Sequence, residues 1–394
     1  MEHLPVEVIG NILSRLGAAR DIVIASATCR KWREAFCYHL HTLSFNSKDW
    51  PLYHDLTTSQ LEILITETLL QTTGLQGLSI SMDEVGEFSA SVVTFWLMYT
   101  RETLRSLWYN VRTTPNVNIL EICGRQKLET LFLAHNFITG VEPNFQRFSC
   151  LKSLSLSSVS ISALDMSLLL TACPKIEILD LVNLEIAMSD TQDKVKLRSP
   201  TLKIHIEADS LEHLHLKDCD LKLIKLAGKG TLKQLVIDDV SSVHLDIGDQ
   251  SLENLEVVDI NNFTIIWPKF YQMISRSSKL RRLQLWSVFF DDNNEIVDLE
   301  TFAVCFPQRS HLSLWYVFLR DGVHYALPGS SHLENVIEMD VGWTTINELF
   351  PDWLVIHGQG MSSKEKKECM RLTSLIKYFM DDKYEHVEVQ LAYT

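Results

Sequence analysis

One frame, L-x-x-L-x-L, recurs along this chain, and no other feature of the sequence restricts the fold so tightly. It begins at Leu75 (LQGLSI), Leu104 (LRSLWY), Leu128 (LETLFL), Leu151 (LKSLSL), Ile176 (IEILDL), Leu211 (LEHLHL), Leu232 (LKQLVI), Leu252 (LENLEV) and Leu280 (LRRLQL). Weaker forms begin at Leu40 (LHTLSF) and Val336 (VIEMDV). From Leu104 the spacings are 24, 23, 25, 35, 21, 20 and 28 residues. Each frame reads as a short strand whose side chains alternate between two faces. In LETLFLAHNFI, Leu131 and Leu133 point one way while Thr130, Phe132 and Ala134 point the other. The chain then turns, and Asn136 is placed to hydrogen-bond the turn backbone. One such unit cannot bury its own leucines; stacked copies bury them in a continuous core.

With Asn136 and Ile138, that stretch carries the full spacing L-x-x-L-x-L-x-x-N-x-L and resembles a leucine-rich repeat. The resemblance implies an α/β fold. It would be a leucine-rich-repeat solenoid with a parallel sheet on the concave face and short helices and turns on the convex face, spanning residues 41–394. Convex helices are expected at Ala90–Met98, Val117–Cys123, Met166–Cys173, Phe270–Ser275 and Leu299–Val304. Leu61, Leu64, Ile65 and Leu69 mark a further amphipathic helix. The two short repeats between Leu211 and Leu252 leave no room for a full helix, so extended or turn-like segments are expected there. The 35-residue interval before Leu211 holds a strand-like fragment, Leu202–Ile206, which reads as a compressed repeat. After Val341 the frame is lost. Lys364–Lys367 reads as a solvated loop or helix start, Leu372–Met380 as a helix, and Val387, Val389 and Leu391 as a last strand of an irregular cap.

Composition narrows the function classes. Of 394 residues, 46% are hydrophobic, ample for a large core. The formal net charge of -14, with no long run of Lys or Arg, argues against nucleic acid as a partner. Neither a charged-then-apolar leader nor a long apolar run stands out, so no membrane role is expected. The eight Cys form no C-x-x-C pair, and read as reduced thiols in the cytoplasm or nucleus rather than a zinc site.

Residues 1–40 follow a different pattern. Pro5 suits the first turn of a helix, Ile9, Ile12, Leu13 and Leu16 mark one helical face, and Gly17 can end it. Ile22, Ala25, Cys29, Trp32 and Phe36 continue the apolar pattern. The series Leu4-Pro5, Glu7, Ile9, Ile12-Leu13, Leu16, Asp21, Ala25, Cys29, Lys31, Trp32 and Arg33 resembles an F-box. Thr28 and Gly17-Ala18-Ala19 depart from its usual residues without removing an apolar anchor. With the repeats, the chain is similar to plant F-box/leucine-rich-repeat proteins. That resemblance implies three N-terminal helices docking on a Skp-family adaptor, and through it on a cullin. Leu4, Pro5, Ile9, Leu13 and Leu16 are the adaptor-contact residues it suggests, while Ile12 and Trp32 are expected to pack inside.

No catalytic constellation is present: there is no G-x-S-x-G, H-E-x-x-H, P-loop or G-x-G-x-x-G. His213 and His215, two apart on an expected strand, lack a third and fourth metal ligand. Asp291–Glu295 lacks a calcium loop's glycine and terminal glutamate. No cofactor is expected. The informative surface is the sheet face, where the residues between the leucines are Trp108, Asn110, Phe132, Ser153, Ser155, Ser157, Asp180, His213, His215, Lys217, Gln234, Asp238, Asn254, Glu256, Arg282, Gln284, Trp286 and Trp315. Exposed Trp and Arg dominate binding hot spots. Trp108 with Phe132, and Arg282 with Trp286 and Trp315, are therefore the expected anchors for a client protein, with His213 on the same face. The expected function is client recognition for a ubiquitin ligase by a non-catalytic receptor; the alternative is a repeat scaffold whose N-terminal helices merely cap it.

Overall fold

The computed structural model describes residues 4–82, 85–124, 127–141, 148–186, 203–207, 209–219, 221, 223–227, 229–240, 244–247, 253–265, 267–290, 310–315, 318–319, 336–342 and 388–390. The chain divides into two units, residues 1–200 and 201–394. Both are built on parallel strands joined through returning limbs, the architecture of a leucine-rich-repeat solenoid.

Three helices open the first unit: α1 (Val6–Ser14), α2 (Ala19–Ser26) and α3 (Arg30–His39). Gly17 adopts φ +80 between the first two, a conformation that suits glycine. Gly10 is needed for a different reason: a Cβ there would sit 2.3 Å from the carbonyl oxygen of His39, so α1 meets the end of α3 too closely for any side chain. Ile9, Leu13, Ile22, Ala35 and Phe36 fill the small interior.

Six five-residue strands form the sheet described in that unit: Thr42–Asn46, Gly77–Ser81, Ser106–Asn110, Thr130–Ala134, Ser153–Ser157 and Ile178–Val182. Each pairs in parallel with the next and in unbroken register, Leu43, Leu78, Leu107, Leu131, Leu154 and Leu179 standing side by side. All six are buried, as are Leu104, Leu128 and Leu151, which begin their frames. Each such leucine contributes about 1.5–3 kcal/mol relative to exposure. The chain returns through helices at Thr58–Leu70, Ala90–Thr100, Ile119–Cys123 and Ala163–Thr171. Thr57 and Gln60 form a capping box at the first. Asn118 and Ser162 cap the last two through side-chain oxygens.

The second unit carries strands at His213–Lys217, Gln234–Asp238, Val257–Ile265, Arg282–Phe290, Ser310–Trp315, Val336–Gly342 and Glu388–Gln390, each parallel to the next. Between 211 and 252 the return is extended. Leu223–Ala227 and His244–Ile247 join Lys203–Glu207 in a separate three-stranded parallel sheet. The fragment read as a compressed repeat is thus a returning limb in its own right. The convex helix near residue 270 runs Trp267–Ser275. The expectations at 291–295, 299–304, 364–367 and 372–380 lie outside the described residues.

One frame is corrected. Register pairs Leu235 with Val258 and Ile237 with Ile260, and both partners are wholly buried. The repeat therefore begins at Leu255 (LEVVDI), not Leu252, and the outward residues are Val257, Asp259 and Asn261 rather than Asn254 and Glu256. The spacings on either side become 23 and 25 residues. LENL and LEVV both satisfy the local pattern; only the neighbouring strand distinguishes them.

Two ladders hold the register. A left-handed backbone recurs just after several strands, at His135, Ser158, Asn183, Asp218 and Asp239, and at the matching position Asn262 within Val257–Ile265, with φ between 47 and 52. Short polar residues tolerate this conformation best. From it, His135, Ser158 and Asp218 each donate their amide to the last carbonyl of the neighbouring strand, and Asp239 donates to the carbonyl of Asn261, all at 2.8–3.0 Å. At the other end, the residue following the first leucine alternates in charge. Arg105 pairs with Glu129 at 3.2 Å, Lys152 with Glu177 at 3.6 Å, Lys233 with Glu212 at 2.8 Å, and Arg281 with Glu256. Asn136 serves the turn as its spacing suggests, donating to the carbonyl of Ala134 at 2.6 Å. Cys219 takes the same place, its thiol donating to the carbonyl of Lys217 at 3.1 Å.

Candidate functional site

The helical head and the repeat face are the two surfaces on which function can rest. On the head, the structure divides the apolar residues differently from the sequence expectation. Ile9 and Leu13 are wholly buried and so are not surface residues, whereas Ile12, expected inside, is 37% exposed. Val8, Ile12 and Leu16 recur every four residues along α1 and the turn after it, and all three are exposed. Val23 and Ile24 are exposed on α2, and Tyr38 on α3. Pro5 is exposed, while Leu4 and Trp32 are half-buried. Because α1 is apolar on two sides, its periodicity alone could not say which side faces in.

The head is fastened to the first repeat. Ala18 bridges in parallel to Ser44, taking the place that a preceding strand would hold. The Ser14 hydroxyl accepts from the amide of His41 at 3.1 Å, and its carbonyl accepts from the Thr42 hydroxyl at 3.0 Å. Thr73 donates its amide and its hydroxyl to the carbonyl of Cys37, at 2.9 and 3.0 Å. The Arg20 guanidinium lies over the Trp50 ring, 5.3 Å from its centroid.

On the repeat face of the first unit, Trp108 and Phe132 stand in register on adjacent strands and stack, centroids 3.6 Å apart and planes 12° from parallel. Trp108 is 47% exposed. Around them the face is small and hydroxylic: Ser44, Ser79, Ser81, Ser106, Thr130, Ser153, Ser155 and Ser157. Asp180 alone among these face positions is ionisable, and Ser155 donates to its Oδ2 at 2.9 Å.

The face of the second unit is charged. Lys217, Asp238, Asn261 and Trp286 lie in one row across four strands. Lys217 forms an ion pair with Asp238, which also accepts from Asn261 at 2.7 Å. Burial alone would raise the Asp238 carboxyl, but the hydrogen bonds from Lys217 and Asn261 hold it below the usual carboxylate range. Asp259 moves the other way: burial pushes it up, with Arg282 opposing only in part. His213 shares a hydrogen bond with Gln234 at 3.1 Å. Trp286 is 38% exposed, and Arg282 is exposed on the same strand. Trp315 is in register with Trp286, but its side chain lies outside the described residues.

No group of three or more His, Cys, Asp or Glu converges among the described residues. Cys123 and Cys173 are buried, which pushes both thiols up to about 12 and leaves them unreactive. No helix among the described residues is long and apolar enough to cross a membrane.

Known proteins match the chain in the same two regions. Residues 1–42 match an F-box-like family model, and residues 106–237 match a model of the leucine-rich repeats of the FBD-associated F-box protein At5g56370. Over its whole length the chain is 60% identical to F-box/LRR-repeat protein At1g67190 of Arabidopsis thaliana, covering all of both. It is 22% identical to F-box protein At1g10780 of the same plant, over 72% of this chain and 69% of that one. The chain belongs to the F-box/LRR-repeat proteins. Members of this family are generally non-catalytic adaptors.

Proposed function

We propose that this protein is the substrate-recognition subunit of a Skp–cullin–F-box ubiquitin ligase. Its head would bind the Skp-family adaptor, and its repeats would hold a client for ubiquitination in the nucleus or cytoplasm. The observation that carries this reading is the exposed apolar stripe Val8, Ile12 and Leu16 on a head whose interior is already filled. Apolar side chains left in water on an otherwise closed small fold favour a partner. The extent assigned to the head is residues 1–40, with the repeats from 41 onward. Fastening the head to the first repeat suits the task, since a client held at fixed geometry raises the effective concentration of its lysines.

The test is co-purification of the full chain with a Skp-family adaptor. Ile12→Asp with Leu16→Asp should abolish recovery without lowering the unfolding temperature, whereas Leu13→Ala should lower stability by about 2–5 kcal/mol. Undiminished recovery from the double variant would refute the assignment. The Ala18–Ser44 bridge favours a second reading, in which the head is a cap for a repeat scaffold without a ligase role. That reading predicts no adaptor recovery with the unaltered chain.

A further inference from the structure

The stacked rings of Trp108 and Phe132 are interrupted on the Trp108 side by a small residue. The stack runs from strand to strand, so the second face of the indole is directed toward the strand Gly77–Ser81, where its in-register neighbour is Ser79. Ser44 follows in the same row, and Gly77 lies beside Ser79. Neighbouring strands lie about 4.8 Å apart, and the serine fills little of that interval. That interval is too narrow to take a flat group between the strands, but the serine is short and Ser79 and Ser44 put no ring in register with the indole's second face, which leaves a slot above the serine with an aromatic wall and a hydroxylic floor. The electrostatics select among flat groups. The slot's row and the rows on either side hold no cation; their one ionisable residue, Asp180, is an acid that stands three strands from Trp108 on the far side of Phe132. The Arg105–Glu129 and Lys152–Glu177 pairs at the strand starts cancel. The whole chain carries a formal net charge of -14. An indole face is negative at its centre, and an arginine guanidinium is flat, permanently positive and weakly hydrated.

We propose that the slot between Trp108 and Ser79 receives an arginine side chain from an extended segment of a client protein. The guanidinium completes the stack as its third member, and Ser79 and Ser81 offer hydroxyl acceptors at its edge. The ammonium of lysine, compact and strongly hydrated, gains less from this shape. The proposal rests on the receptor reading for the word client, but the slot's chemistry stands apart from adaptor binding.

The test is selection of peptides from a random library on the purified full-length chain, with counter-selection on the Trp108→Ala chain. Peptides that depend on Trp108 should be enriched in arginine at one position. In synthetic copies, replacing that arginine by citrulline, which keeps the plane and removes the charge, should weaken binding about tenfold. Ser79→Phe, which places a ring in the slot, should weaken binding by at least as much. Trp108→Phe should retain part of it. Enrichment of aromatic residues without arginine, indifference to citrulline, or the absence of any Trp108-dependent peptide would overturn the proposal. The citrulline comparison leaves the protein untouched, so misfolding of a variant cannot imitate the result. Adaptor recovery measured on the same preparations reports on the ligase reading alone, so the two can fail separately.

Discussion

The two units solve the same packing problem with returning limbs that differ with repeat length: the described returns of the first are helical, while the second uses both extended limbs and the helix Trp267–Ser275. In the first unit the returns at Ala90–Thr100 and Ala163–Thr171 are helices of 11 and 9 residues. In the second, Leu223–Ala227 is a strand of 5 residues. At about 1.5 Å per helical residue and about 3.3 Å per strand residue, these cover much the same distance. A repeat of 21 residues, such as Leu211 to Leu232, therefore closes by extending its return rather than coiling it. The face chemistry differs as well. The first unit shows hydroxyls around an aromatic stack, the second an ion pair, Lys217 with Asp238, in the row that also holds Asn261 and Trp286. Equal backbones thus carry unequal surfaces, because only the leucine positions are bound to the core.

The sharpest way to break this comparison is at the leucines. Leu154→Ala and Leu235→Ala, both at wholly buried sites, should each cost about 2–5 kcal/mol. Since repeats touch chiefly their neighbours, faster amide exchange should concentrate in the unit that carries the change. Equal loss of protection across both units would show that they melt as one.

Next comes the contrast in faces. Trp286→Ala should weaken client capture severalfold and leave adaptor recovery unchanged, as should Trp108→Ala. Loss from one variant alone would assign the client to that unit, measured by pull-down with a client found through ubiquitin-remnant profiling.

A smaller effect separates the units by pH. The folded-state pKa of Asp238 is depressed, so its contribution is present above the unfolded carboxylate value of about 3.9 and is lost as pH falls through the folded value. Asp238→Asn should cost about 1 kcal/mol at neutral pH and progressively less in acid. Asp259 has the opposite sign. Its raised pKa favours the protonated folded form, a benefit lost as pH rises through the folded value. Asp259→Asn should therefore be neutral or stabilising at pH 7. Unfolding temperatures from pH 3 to 8 would reveal both signs. The smallest effect belongs to the strand-start ladder: a double-mutant cycle on Arg105 and Glu129, both well exposed, should give no more than about 0.5 kcal/mol.

Much of this architecture could be read from residue spacing, and the places where it could not have physical causes. The leucine frame marks strands because burial demands a period of two followed by a turn. It failed at Leu252 because Leu252, Leu255 and Val258 are equally spaced apolar residues, and the choice between frames is made by the strand next door. The α1 face was misassigned for a related reason: Ile9, Ile12, Leu13 and Leu16 form one helical pattern, yet α3 covers only part of it. The stack of Trp108 on Phe132 was foreseeable as a pair of outward aromatics. Its open side was not, since that depends on which strand lies across from Ser79.

The Ala18–Ser44 bridge has a practical corollary. A chain shortened to begin at residue 41 would keep the repeats from Leu75 onward and still lose the bridge that Ala18 makes to Ser44 on the strand Thr42–Asn46. Bare strand margins of that kind recruit strands from other molecules. Preparations of the repeats alone are thus expected to self-associate more readily than the full chain, with the helical head acting as a stopper on that margin.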